Sequence, residues 1–146
     1  MDTFTAHFEE ALVFAARLHA CQVRKGSGVA YISHLLAVCS LVIESGGDED
    51  LAIAALLHDA IEDQGGDAAR QKIRCHFGDR IAALVDGCSD TNVFPKPPWR
   101  QRKKTYLAHL REAPAEVLLI SMADQLHNLR SMLADYYQVG ELLVKA

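Results

Sequence analysis

The sequence has few cysteines, few prolines, no excess of positive charge and no long apolar run, and each shortage excludes something. Cys21, Cys39, Cys75 and Cys88 lie far apart and form no C-x-x-C pair. A disulfide framework is therefore not indicated, and reduced, mostly buried thiols are expected. The formal net charge is −4, which argues against a broad surface for nucleic acid or anionic membrane. No segment approaches the roughly 20 apolar residues of a membrane span. The opening MDTFTAHFEE does not read as a signal peptide, so the cytoplasm is the expected location. Period-two alternation, internal repeats and linkers are also absent. What is present is an apolar half and a charged share of 23% in 146 residues. That is enough for one domain, residues 1–146, around one core.

Helical spacing runs through the chain. Phe4, Phe8, Ala11, Leu12, Ala15 and Leu18 recur at three and four, which predicts an amphipathic helix. RKGSG, Arg24 to Gly28, breaks it. A second helix is expected from Tyr31 to about Ser45, with Ser33 as a candidate N-cap. A third is expected from Leu51 to about Asp63. Its LAIAALL is apolar almost all round, so it should be central and buried. Gly65 and Gly66 should end it. Asp67 to about Phe77 and Asp79 to about Cys88 read as two shorter helices. Pro95, Pro97, Pro98 and Trp99 mark a long loop, a feature that is often functional inside a compact domain. Arg100 to about Glu112 reads as helical, and Pro114 suits the first position of a helix reaching about Tyr137. The last residues are expected to add a short helical turn. The fold class is all-α.

One stretch departs from ordinary helix chemistry. In LLHDAIEDQGG an apolar run ends in His58, Asp59, Glu62 and Asp63. Anions at a helix C-terminus oppose the macrodipole. A solvated helix end with a His–Glu hydrogen bond is one explanation. The other is a divalent cation, since buried charge must be paired or metal-bound. A borderline first-row ion takes imidazole and carboxylate together, and His58 and Asp59 offer two adjacent ligands. Further ligands could come from His7, His19, His34, His76, His109, His127 or a carboxylate. His34 opens a helix after a loop, where a ligand and an ordinary helix-start residue look alike. Asp124 sits in the apolar ISMADQLHNLR, where an unpaired carboxylate is costly, with Asn128 one turn on. His127 fits packing better than ligation. Arg24 and Lys25 stand beside glycines. Arg100, Arg102, Lys103 and Lys104 form a second basic run, equally readable as a solvated face.

HACQVRKGSGVAYISHLLAV, AALLHDAIED and MADQLHNLR, in that order and spacing, resemble the HD-domain hydrolase module of the RelA/SpoT family, most of all its stand-alone small alarmone hydrolases. The resemblance runs from about Phe4 to Leu133. It implies an all-α HD-type helical bundle and a single metal ion, usually manganese. His34, His58, Asp59 and Asp124 match the family's ligand positions. Glu62 and Asp63 match its ED pair, associated with the water nucleophile. Arg24, Lys25, Ser27 and Asn128 match nucleotide contacts, the arginine against the purine. Lys103 aligns with a basic position. The implied reaction removes the 3′-pyrophosphate of guanosine tetra- and pentaphosphate, alarmones of the stringent response. The implied partner is thus a small nucleotide.

Two positions depart from the family pattern. Gln125 stands where the family usually has arginine or lysine, and Leu35 where it has proline. Family members also commonly continue with further helices that close the pocket, a role that a second subunit in a homodimer could take here. Two other functions therefore stand beside the alarmone hydrolase. One is an HD phosphohydrolase of another nucleotide, such as an adenosine alarmone or a phosphorylated cofactor. The other is a nucleotide-binding regulatory module with little turnover.

Overall fold

The computed structural model describes residues 4–91, 93 and 95–140. They form α1 (Ala6–Leu18), α2 (Ile32–Glu44), α3 (Glu49–Leu57), α4 (Ala60–Asp63), α5 (Asp67–Phe77), α6 (Asp79–Cys88), α7 (Trp99–Leu110) and α8 (Ala115–Val139). The all-α class expected from the sequence is observed. Among the described residues the exception is one isolated antiparallel bridge, Val23 to Ala30. The terminal turn expected after residue 140 lies outside the described residues.

α3 is the axis of the fold. Every side chain from Leu51 to Leu57 is buried, as its all-round apolar pattern requires, and α1, α2, α6 and α8 pack against it. Asp48 caps it, its Oδ1 accepting the Leu51 N–H at 2.9 Å. Glu49 Oε1 accepts both the N–H (2.6 Å) and the hydroxyl (2.8 Å) of Thr5, pinning the start of α1 to the start of α3. One apolar cluster joins Ala11 and Ala15 of α1, Leu35, Val38 and Val42 of α2, Leu51 to Leu57 of α3, Ile81 and Val85 of α6, and Val117 and Ile120 of α8. No helix of the described residues is long and apolar enough to cross a membrane.

Four local expectations are corrected. The helix from Leu51 to Asp63 is interrupted, since α3 ends at Leu57 and Asp59 turns to φ −95°, ψ −1° before α4 begins. Neighbours on a continuous helix point about 100° apart. The turn lets His58 and Asp59 face one place. Ser33 is not an N-cap: Tyr31 occupies that position without a side-chain cap bond, because its hydroxyl is engaged elsewhere. Pro114 stands one residue before the first helical position of α8, in extended conformation. Cys39 and Cys88 are buried, but Cys21 and Cys75 are exposed. They lie on the turn after α1 and on the outer side of α5, away from the core.

RKGSG folds into a tight hairpin. The Arg24 N–H donates to Val29 O at 2.7 Å and the Tyr31 N–H to Gln22 O at 2.9 Å. Gly26 and Gly28 take φ of 91° and 70°, a region that costs other residues energy. The hairpin thus turns Arg24 back over the start of α2.

Leu56 is fully buried in α3. Replacing it with alanine should cost about 2–5 kcal/mol through lost burial and a residual cavity. Urea unfolding should show a lower midpoint at unchanged slope. An unchanged midpoint would contradict the central place of α3.

Candidate active site

α2, the α3–α4 turn and α8 each deliver part of one cluster. His34 and His58 are almost wholly buried. His34 Nε2 lies 3.1 Å from Asp124 Oδ1 and 3.6 Å from Asp59 Oδ2. His58 Nε2 reverses that order, 3.1 Å from Asp59 Oδ2 and 3.6 Å from Asp124 Oδ1. Ligand atoms of His34, His58 and Asp59 all fall within 4.8 Å of one another. His34, His58 and Asp59 thus form one compact group, and Asp124 touches both of its histidines.

A cation fits this geometry. His58 Nδ1 is 2.7 Å from Ala55 O, so the Nδ1–H donates to the carbonyl and Nε2 carries the lone pair. That buried Nε2 has no hydrogen-bond partner, although two carboxylates flank it. His34 Nδ1 lies 2.7 Å from His127 Nδ1. His127, expected to pack or hydrogen-bond and not to ligate, thus holds the ring that presents His34 Nε2. Mixed imidazole and carboxylate donors suit a first-row divalent ion.

The electrostatics give the same answer. Burial opposes charge on His58, yet Asp59 and Asp124 hold its imidazolium well above the ordinary range. Burial pushes Asp59 up, but His58 and its hydrogen bonds pull it down to about 2. Burial likewise opposes ionisation of Asp124, which the flanking imidazoles of His34 and His58 hold well below ordinary carboxylates. The carboxylates need a positive partner. A proton on His58 or a divalent ion are alternative ways to supply it.

A polar cavity of about 120 Å³ opens onto this cluster, and Tyr31, His34, Asp59, Glu62, Asp90, Lys103, Asp124 and Asn128 are among its walls. The Tyr31 hydroxyl donates to Asp59 Oδ2 at 2.5 Å. Glu62 Oε1 accepts the Asp90 N–H at 2.6 Å. Burial raises Glu62 to about 7, the Asp90 N–H opposing and the Asp59 charge assisting. Lys103 Nζ bonds Asp90 Oδ2 at 2.9 Å. Gln125 donates to Asp124 Oδ2 at 3.3 Å, so a neutral amide stands beside that carboxylate.

A second cavity of about 300 Å³ adjoins it across Tyr31, lined by Gln22, Val23, Arg24, Lys25, Tyr31 and Asp63. Asp63 faces this cavity, away from Glu62. Its Oδ2 accepts from Gln22 at 2.9 Å, and Lys96 approaches Oδ1 at 3.6 Å. Arg24 donates to Asn128 Oδ1 at 2.9 Å, and Asn128 donates to Asp124 Oδ1 at 2.8 Å. Asn128 therefore links the hairpin to the cluster. Ser27 Oγ accepts the Val29 N–H at 3.3 Å and lines neither cavity. Sequence reasoning missed Tyr31, Gln22 and Asp90. The acidic residue just ahead of the proline loop was the available signal for Asp90.

An HD-domain family model matches residues 11–140. The chain belongs to the HD-domain family. HD domains are metal-dependent, in keeping with the His–His–Asp cluster. The human guanosine-3′,5′-bis(diphosphate) 3′-pyrophosphohydrolase MESH1 is 33% identical over 135 residues, spanning 90% of this chain and 73% of that protein. A probable guanosine-3′,5′-bis(diphosphate) 3′-pyrophosphohydrolase of Synechocystis sp. is 36% identical over 125 residues, 84% of this chain but 16% of that longer protein. A solved structure of a metazoan ortholog of SpoT that hydrolyses ppGpp superimposes with a TM-score of 0.82. That match has 29% identity and covers 92% of this chain and 74% of the other. The resemblance read in the three motifs is borne out.

Two outcomes follow for this HD domain. Asp59→Ala should weaken binding of Mn²⁺ by about tenfold or more, by analogy with losses at ligand-supporting residues, as read by calorimetry and elemental analysis. Unchanged stoichiometric binding would remove Asp59 from the site. The second concerns Glu62. Its folded pKa of about 7 stands above the ordinary 4.5. Its favourable contribution is therefore present below pH 4.5 and lost as pH rises through about 7. Gln stays neutral and can still accept the Asp90 N–H. In chelator-treated protein, Glu62→Gln should gain about 1–3 kcal/mol at pH 8 and little at pH 4. Equal urea midpoints at pH 8 would show that Glu62 carries no such strain.

Proposed function

We propose that this HD domain hydrolyses the 3′-pyrophosphate of guanosine tetra- and pentaphosphate, giving GDP or GTP and pyrophosphate, with one manganese ion. The observation that carries the reading is the pair of adjoining cavities. The smaller holds the cluster, Glu62 and Lys103, and the larger holds Arg24 and Lys25. The names of the human and Synechocystis relatives support the same substrate. Four free cysteines suit a reducing compartment such as the cytoplasm.

His34, His58, Asp59 and Asp124 would hold the ion. When bound, it lowers the pKa of water and neutralises phosphoryl charge. The rest falls to the chain. Glu62, near pH 7 in affinity for a proton, orients the attacking water and accepts its proton. The new oxygen–phosphorus bond forms as the bond to the ribose 3′-oxygen breaks, and that oxygen leaves as a hydroxyl with the proton that Glu62 took from the water. Lys103 offsets charge on the departing pyrophosphate. Arg24 lies 5.9 Å from the centre of the Tyr31 ring and takes the purine. Lys25 meets the base edge or the phosphates. Asn128 sits by the ribose, one turn from Asp124, which sets the proximal phosphorus at the cluster. Ser27 shapes the hairpin beside the base. Asp63, tied to Gln22 and Lys96, shapes the nucleoside cavity and is the second candidate for handling the water.

One observation favours a variant reading. Gln125 leaves a neutral amide on the cavity wall. That suits a less highly charged nucleotide, such as an adenosine alarmone or a phosphorylated cofactor, hydrolysed by the same groups.

A panel of nucleotides with Mn²⁺, read by product identity, decides between them. Guanosine tetraphosphate should yield GDP and pyrophosphate in equal amounts. Stepwise release of orthophosphate would place the terminal phosphate at the cluster and overturn the pyrophosphohydrolase reading.

A further inference from the structure

Among the described residues Asp90 is the least exposed carboxylate outside the cluster, with its side chain 2% exposed. It opens the proline-rich loop between α6 and α7, where acidic residues are ordinarily solvated. Three bonds explain its burial. Arg102 Nη1 donates to Asp90 Oδ2 at 2.6 Å, and Lys103 Nζ donates to the same oxygen at 2.9 Å. The Asp90 main-chain N–H donates to Glu62 Oε1 at 2.6 Å. Arg102 also binds Pro97 O through Nε at 3.0 Å, so the same guanidinium ties down both ends of the loop. Asp90 Oδ1 is buried without a partner among the described residues. A side chain kept in that state is held by its other bonds, not by the comfort of the site.

We infer that Asp90 is a positioning residue. Its carboxylate clamps α7 so that its own N–H is aimed at Glu62, and it parks the Lys103 ammonium at the wall of the same cavity. The inference rests on the proposed role of Glu62 as proton acceptor. A carboxylate with two staggered acceptor directions is free to rotate. One oxygen fixed by a main-chain N–H leaves the other directed by the side chain's rotamer. Lys103 shares one oxygen with Arg102, so it can leave Asp90 for an anionic substrate while Arg102 keeps the loop in place. Arg102 is thus the permanent arm of the clamp and Lys103 the exchangeable one.

The test has a part independent of substrate. Amide exchange at Asp90, followed by NMR in chelator-treated protein, should be slow in the wild type. Glu62→Ala should accelerate it about tenfold or more, since the N–H then loses its acceptor. Exchange at an unprotected loop rate in the wild type would overturn the inference whatever the substrate proves to be. The kinetic part uses guanosine tetraphosphate and Mn²⁺. Asp90→Asn should lower kcat about tenfold or more, with KM changed by less than about threefold, because binding groups stay in place. In a Glu62→Gln background the same change should cost less than about twofold, the sign of action through Glu62. An equal factor in both backgrounds, or a loss confined to KM, would overturn it. If Asp90→Asn does not fold, Arg102→Gln takes its place, with the same non-additivity expected. Failure of the wild type to release pyrophosphate would count against the proposed function, and the exchange measurement would then decide the matter of Asp90.

Discussion

Two imidazoles and two carboxylates, brought from three parts of the chain into one largely dry place, demand a positive charge between them. That constraint organises the rest of the molecule. Asp59 and Asp124 cannot both ionise beside a neutral His34 and His58 without compensation, and burial makes the uncompensated state costly. The anionic end of α3 and α4 makes sense in those terms. Of the carboxylates at that end, Asp59 joins His34, His58 and Asp124, Glu62 lines the same cavity, and Asp63 faces the other.

The surroundings are built to keep that cluster rigid. α3 is buried on every side, so the turn at Asp59 is set by packing. Each residue of the cluster is held from behind: His58 by Ala55 O, His34 by His127, Asp59 by Tyr31, and Asp124 by Asn128. Tyr31 and Asn128 each have a second task. Tyr31 separates the metal cavity from the larger one, and Asn128 passes from Asp124 to Arg24. Arg24 is therefore tied to Asp124 of the cluster through a single side chain, Asn128. Glu62 stands apart from this rigid set. It is raised toward neutrality by burial, and its orientation depends on a loop that Asp90, Arg102 and Lys103 hold shut.

Much of this was legible in the chain. The apolar circumference of LAIAALL predicts a central helix, and it is central. The residues of HD, ED and MADQLHNLR carry their chemistry in their identity, since few reasons exist for Asp124 within an apolar helix. Ser33 misled, because α2 begins at Ile32 and leaves this serine inside the first turn. Here Tyr31 takes the position while its hydroxyl serves Asp59. Lys103 was singled out within a basic run that reads equally as a solvated face, and Asp90 only gains meaning once the loop closes on α7.

By itself, the sequence determined the helical class and the buried axis, which follow from local periodicity and do not depend on distant contacts. The family, and with it the expectation that His34, His58, Asp59 and Asp124 stand together, came from the likeness of three motifs to known proteins, since side-chain chemistry alone left several histidines as candidates. Only the tertiary structure decided that Glu62 and Asp63, neighbours in sequence, face different cavities. It also decided that His127 supports a ligand and that Asp90 reaches Glu62 across 28 positions. The reason is that a helix break and a loop closure set direction. Direction is fixed by long-range packing around α3 and by the Arg102 clamp, not by any spacing along the chain.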